Sequence, residues 1–232
     1  MVSINRTDIS GFRAALHGMR NAMSSWYKSD TKFGGIYEEQ WFDSVTLPDN
    51  SVVKLSDEYL EIGENDLDLA CRLIKGGTEH RKFLRMINVS FDITAPVYWM
   101  AEFDTYKVGT TRNSTSFMHK GTSKPFELSD FEIDEESAGA EVGLYWNNLI
   151  DTLNKLRDEY LETKDYEYFR TIRQILPMSY KYTSTISLNY EVLLTIYKQR
   201  HNHRLSEWHT FCDWIETLPY MKNFIEAAGI KE

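Results

Sequence analysis

The sequence predicts an α+β fold: a helix-rich single domain, residues 1–232, with a small antiparallel sheet. Two patterns carry that expectation. Apolar residues recur every three or four positions over several long stretches, the repeat of a helix with one buried face. In Phe83–Thr94 the period changes: Ile87, Val89, Phe91 and Ile93 alternate with Asn88, Ser90, Asp92 and Thr94, the repeat of a strand with one buried face. Strands and helices do not alternate regularly, which favours α+β over a parallel α/β sheet. With 232 residues, 42% of them hydrophobic and 26% charged, the chain can bury a full core.

The elements follow in order. Asp8 is placed as an N-cap before Phe12, Leu16, Met19 and Met23 at helical spacing, predicting a first helix over residues 8–27. Residues 28–56, with the turn signals FGGIYEEQW and TLPDNS, predict loops and a short hairpin. Helix returns within residues 56–75, most clearly in DLDLACRLIK, and Gly76-Gly77 terminates it. The strand of residues 83–94 comes next and is expected to end before Ala95-Pro96. Pro96 suits the first turn of a helix that continues through VYWMAEF.

Residues 105–126 are rich in Gly, Ser, Thr and Asn, predicting loop with some extended pairing, and the acidic stretch 128–137 a solvated loop or cap. Trp146, Leu149, Leu153, Leu156 and Tyr160 predict a long amphipathic helix from Val142, about five turns. A helix over 166–176 must stop at Pro177, and the β-branched and aromatic residues 178–188 predict an extended segment. A further helix starts near Asn189 with Tyr190, Leu193, Leu194 and Tyr197 on one face. Closing helices over 208–216 and 220–228 flank Pro219.

A net charge of −9 opposes broad binding to nucleic acid or to anionic membrane, since both need an extended positive surface. No run approaches 18 apolar residues, and the N-terminal MVSINRTDIS lacks the apolar core of a signal peptide, so the cytoplasm is the expected compartment. Cys71 and Cys212 have no partner at metal-site spacing and read as small core residues. His201, His203 and His209 invite a metal reading. Their spacing suits a polar helix terminus better, and no metal site is expected. Phosphate-loop, Rossmann and nucleophile-elbow motifs are not found.

The chemistry concentrates in residues 166–208. Arg173 has Phe169 four residues before and Leu176 three after; Arg200 has Ile196 and Tyr197 before it. Each arginine therefore falls on or beside an apolar helix face, where a planar guanidinium fork matches phosphate or carboxylate. Either could equally snorkel from a packed face to a surface carboxylate. Asn189 lies eleven residues before Arg200, about 16 Å along a helix. A pocket spanning both suits a ligand the size of a dinucleotide, although Asn189 alone reads as a helix N-cap.

These residues resemble a family. The run Arg173, Leu176, Pro177, then Asn189 twelve residues on and Arg200 eleven beyond, is similar without gaps to the C-terminal half of the flavin-dependent thymidylate synthases. Upstream, a strand, Ala95-Pro96 and an aromatic helix precede the position of that family's Arg-His-Arg, seven residues, Ser signature. Here the signature falls on Thr105-Tyr106-Lys107 and Thr115, so spacing persists while only one cation remains. A family Gln becomes Glu102, an Arg becomes Phe117, and an Asn-Glu pair becomes Arg112-Asn113.

The resemblance implies a divergent member with the thymidylate synthase-complementing protein-like fold. It implies an FAD-bound homotetramer that methylates dUMP, or a related pyrimidine nucleotide, at C5, with methylenetetrahydrofolate as carbon donor and NADPH as reductant. Arg173, Arg200, Glu102, Thr115 and Ser116 would meet the nucleotide; Thr105, Tyr106, Lys107, Arg112, Asn189 and His80 would meet the flavin. It names no catalytic residue. A noncatalytic nucleotide-binding or regulatory protein that kept the fold is the alternative. The absence of a reactive cysteine agrees with the flavin route, because flavin-free thymidylate synthases need a cysteine nucleophile.

Overall fold

The computed structural model describes residues 2–33, 45–46, 52–55, 60–133 and 139–230. Most of FGGIYEEQW and TLPDNS, the start of the segment expected to turn helical at Ser56, and residues 134–137 of the acidic stretch lie outside the described residues. Two compact units are distinguishable. A terminal unit comprises Val2–Ile93, Tyr106–Arg112 and Thr185–Glu232, and a central unit comprises Thr94–Thr105 and Asn113–Ser184.

The terminal unit opens with strand β1 (Ser3–Ser10), where a helix N-cap at Asp8 was expected. Pairing decides the difference: Asp8 lies opposite Lys54 and Ile9 opposite Leu55 in a parallel pair with β4 (Val52–Leu55). Helix α1 (Phe12–Met19) therefore starts after Gly11 and ends early, which leaves Met23 exposed rather than on the expected apolar face. Short strands β2 (Lys32–Phe33) and β5 (Leu60–Glu61) pair antiparallel, and β3 (Val45–Thr46) with β4 forms the expected hairpin. Helix α2 (Glu64–Lys75) ends at Gly76, as expected.

The best strand of the sequence is β6 (Asn88–Pro96), and its burial alternates as its residues do. It runs through Pro96, two residues past the expected end. Its partner β8 (Lys181–Asn189) is the extended segment expected after Pro177. Side-chain bonds Ser90–Ser187 (3.1 Å) and Thr185–Asp92 (2.6 Å) in the terminal unit, and Thr94–Thr183 (2.7 Å) in the central unit, fix an antiparallel register. With β7 (Thr111–Ser114), the strand order is β3-β4-β1-β6-β8-β7. The fold is thus α+β and helix-rich, with six strands in the sheet, where the β1–β4 pair is parallel and the β3–β4 and β6–β8 pairs are antiparallel.

Helices α7 (Tyr190–Arg200), α8 (Ser206–Thr217) and α9 (Met221–Ala227) complete the terminal unit. Its core is aromatic: Phe12 meets Tyr190 edge-on at 5.4 Å, Phe83 meets Phe224 at 6.2 Å, and Phe91 lies 4.5 Å from Trp214. Rings of this size bury large apolar areas and add a directional preference.

In the central unit, α3 (Val97–Phe103) begins directly after Pro96, whose fixed φ suits the entry. A four-residue turn α4 (Phe117–Lys120) precedes α5 (Ala140–Thr163) and α6 (Tyr166–Ile175). Only Leu153 of the α5 stripe is fully buried; Trp146, Leu149, Ile150 and Leu156 pack half-buried around Phe126, Phe131 and Ile172. The described part of the acidic stretch, residues 128–133, is more anchored than a solvated loop, because Phe131 is buried against Trp146 at 5.2 Å.

Candidate functional site

In the terminal unit, α7 carries a candidate at each end. Asn189 is its N-cap, accepting from the Val192 amide at 3.1 Å. The cap sits where β8 turns into helix, and a turn residue with φ of +78°, Gly109, lies so close that a Cβ there would be 2.9 Å from the Asn189 amide nitrogen. Arg200, in the last turn, is half-buried, and its position complements the helix dipole. Its Nε donates to the Tyr106 hydroxyl at 2.8 Å, and that hydroxyl donates to Gln199 Oε1 at 2.9 Å. The guanidinium lies 4.7 Å from the Trp208 ring centre and 5.7 Å from that of Tyr106. Cation–π contacts of this kind hold an arginine by the face of its guanidinium.

Two candidates thus meet, Tyr106 with Arg200, and the turn after Tyr106 meets a third, Asn189. Within that turn Lys107 is exposed and forms no ion pair among the described residues, and Thr110 buries a hydroxyl oxygen without a hydrogen-bond partner; Arg112, just beyond it in β7, is half-buried. His80 is exposed and packs its ring on Gly76, where a Cβ would be 3.0 Å away; its side chain shares no hydrogen bond with the other candidates of its unit.

In the central unit, Arg173 is exposed, with its guanidinium 4.8 Å above the ring of Phe117. It flanks the buried stripe of Phe169 and Ile172 rather than entering it. Thr105 donates its hydroxyl to the Glu102 carbonyl at 2.7 Å. The Thr115 amide donates to the Thr183 carbonyl at 2.9 Å, and Ser116 precedes α4 without a side-chain cap bond.

No family model matches the sequence, and no curated protein matches it. Among solved structures, the chain is similar to the flavin-dependent thymidylate synthase ThyX from Helicobacter pylori complexed with FAD and dUMP, at 15% identity and a TM-score of 0.64, over 97% of this chain and 99% of that one. A second structure of Helicobacter pylori ThyX with FAD and dUMP gives a TM-score of 0.65 at 14% identity, over 98% and 99%. The chain has the fold of the flavin-dependent thymidylate synthases.

Within that thymidylate synthase fold, the three histidines serve the α7–α8 connection. His201 stacks on Tyr197 at 5.4 Å with its Nδ1 2.9 Å from the Tyr197 carbonyl, His203 Nδ1 accepts from the Leu205 amide, and His209 Nε2 lies 2.6 Å from the His203 carbonyl. Cys212 is buried, and burial pushes its thiol up to about 12; Cys71 is half-buried and burial also raises it. Sequence reasoning missed Trp208 and Gln199. The signal was present only as an aromatic residue eight positions after Arg200.

No helix among the described residues is long and apolar enough to cross a membrane.

Proposed function

We propose that this protein binds FAD and a pyrimidine deoxynucleotide and catalyses C5 methylation of dUMP, or a closely related modification of a pyrimidine nucleotide. Methylenetetrahydrofolate and NADPH are the co-substrates of this reading, and a homotetramer its assembly. The observation that carries it is Arg200, held in orientation at the end of α7 by Tyr106 and Trp208, in a fold whose solved Helicobacter pylori representative is a complex with FAD and dUMP. Arg173 and Arg200 are each assigned to a nucleotide anion, with Glu102, Thr115 and Ser116 as further substrate contacts.

The segment from Lys107 to Arg112, a turn and the start of β7, suits the diphosphate of a flavin dinucleotide. It offers two cations, a buried Thr110 hydroxyl without a protein partner, and at Gly109 a backbone with no Cβ to block close approach. Lys107, Arg112, Asn189 and His80, with Thr105 and Tyr106 of the signature position, are the residues assigned to that group. Bound flavin would supply the redox chemistry, while the chain binds and orients the reactants and excludes water.

One observation favours a second reading, a nucleotide-binding protein without flavin chemistry. The hydroxyls of Thr105 and Tyr106 both engage the protein itself.

Absorbance between about 350 and 500 nm, before and after adding FAD, separates the two readings. Uptake of FAD and NADPH oxidation that depends on dUMP are the expected results. A protein that takes up no FAD yet binds dUMP would establish the second reading.

A further inference from the structure

Arg200 does not stand alone on its helix. Its Nε–H is directed at the Tyr106 oxygen, and the single proton of that phenol is directed at Gln199 Oε1, so Tyr106 accepts on one side and donates on the other. Trp208 covers one face of the guanidinium at 4.7 Å and stands edge-on to Tyr106, with ring centres 6.2 Å apart and planes at 72°. His203 in turn meets the Trp208 ring edge-on at 6.2 Å, and Trp208 itself is fully buried. Tyr106 and Trp208 therefore hold the guanidinium directly, and Gln199 and His203 support those two in turn.

We infer that Tyr106 is a positioning residue for Arg200: its hydroxyl, oriented by Gln199, fixes the guanidinium against Trp208 and so sets the direction from which the arginine meets a nucleotide phosphate. The inference rests on the proposed reading of Arg200 as a nucleotide ligand. It reassigns Tyr106, which the family resemblance places among flavin contacts, to the substrate side. The physical reason is entropic. An arginine side chain has four rotatable bonds, and holding its Nε edge and one face beforehand removes most of the ordering cost that phosphate binding otherwise bears. A tyrosine suits this role because its ring supplies the packing and its oxygen supplies the bond. Phenylalanine at the same position keeps the first and removes the second.

Two measurements test it. In a nitrogen–proton correlation spectrum of the full chain, the Arg200 Nε–H is expected as a slowly exchanging resonance, assigned by its loss in Arg200→Lys, and Tyr106→Phe should broaden it or speed its exchange. An unchanged resonance in Tyr106→Phe overturns the inference whether or not any nucleotide binds. By calorimetry, Tyr106→Phe is expected to weaken dUMP about tenfold while leaving deoxyuridine, which lacks the phosphate, within twofold. Gln199→Leu, at an exposed position, should weaken dUMP about two- to threefold by freeing the phenol proton.

The outcomes are separable. If Arg200→Ala leaves dUMP affinity unchanged, the assignment of Arg200 to the nucleotide fails, and the resonance alone judges the clamp. If Arg200→Ala weakens dUMP but Tyr106→Phe and Gln199→Leu do not, the assignment stands and the positioning role falls. Equal weakening of dUMP and deoxyuridine by Tyr106→Phe would also overturn it, since that pattern marks a general loss of structure.

Discussion

Arg20 and Asp66, 46 residues apart, form a buried ion pair in which Nε meets Oδ1 at 2.6 Å, with side-chain exposures of 4% and 0%. Asp66 also accepts from the Ser29 and Thr31 hydroxyls, both at 2.6 Å, and from the Thr31 amide at 3.2 Å. The carboxylate thereby ties α2 to the chain entering β2. Removing one member of such a pair strands the other, and Asp66→Ala is expected to cost about 3–5 kcal/mol in urea unfolding. A loss under about 1 kcal/mol would show that the pair does not hold the segment.

The same carboxylate gives the terminal unit an acid limit. Burial alone would raise its pKa, but the bonds from Ser29, Thr31 and Arg20 and the charge of Arg20 outweigh burial and hold it below the ordinary value. A depressed folded-state pKa contributes stability that is present above the unfolded-state value near 3.8 and lost as pH falls through the folded-state value. Urea midpoints measured from neutral pH to below pH ~3 should fall at the acid end, and Asp66→Asn should lose part of that slope. Equal slopes for the two proteins would remove Asp66 from the account.

Gly11 and Gly77 share a left-handed backbone, at φ of +94° and +93°, yet differ in surroundings. A Cβ at Gly11 would stand 2.0 Å from the Met86 carbonyl oxygen, whereas nothing lies within 4 Å of one at Gly77. Gly77→Ala should cost about 1–2 kcal/mol, the conformational term alone. Gly11→Ala should cost well above that or prevent folding. Thermal unfolding of the two variants checks the order; similar melting temperatures would contradict the packing of Gly11 on Met86.

Asn189 serves α7 as a cap and is assigned to flavin as well, and substitution can separate the two roles. Asn189→Ala should destabilise by about 1 kcal/mol, whereas Asn189→Asp keeps the accepting oxygen and should retain stability. If the amide nitrogen also meets the flavin, Asn189→Asp should bind FAD less tightly at unchanged urea midpoint. Equal FAD affinity in wild type and Asn189→Asp would leave the residue with its cap alone.

Cys212, pushed up to about 12 by burial, should resist iodoacetamide at pH ~8 in the folded protein and react on unfolding. Cys71, half-buried and also raised, should react first, though slowly. Rapid labelling of Cys212 in the native state, read by mass spectrometry, would place it outside the core.

Much of the fold was legible because the period of the apolar residues reports which face is buried. The alternation through Ile87, Val89, Phe91 and Ile93 gave β6, and the spacing of Tyr190, Leu193, Leu194 and Tyr197 gave α7. Strand β1 was not legible. Arg6 has φ of +52° and breaks the alternation, and Asp8 has the chemistry of an N-cap, so only the distant β4 makes a strand of it. Local pattern carries no information about a partner that far along the chain. The same limit applies to the candidate site. Asn189 and Arg200 stood out because they sit on one helix, while the Tyr106–Arg200 bond joins residues 94 positions apart and needed coordinates.

Two bonds of the terminal unit set the order in which it can be completed. The indole of Trp214 donates to Thr7 at 3.2 Å across 207 residues, and the hydroxyl of Tyr220 receives the Ile62 amide at 2.7 Å across 158. During synthesis neither bond can close until helices α8 and α9 have left the ribosome, so the first strand gains its last support only then. Contacts so distant in sequence slow folding, because the loop must close before any contact rewards it. Ribosome-stalled chains lacking the last three helices should remain protease-sensitive in β1, and release of the whole chain should protect it.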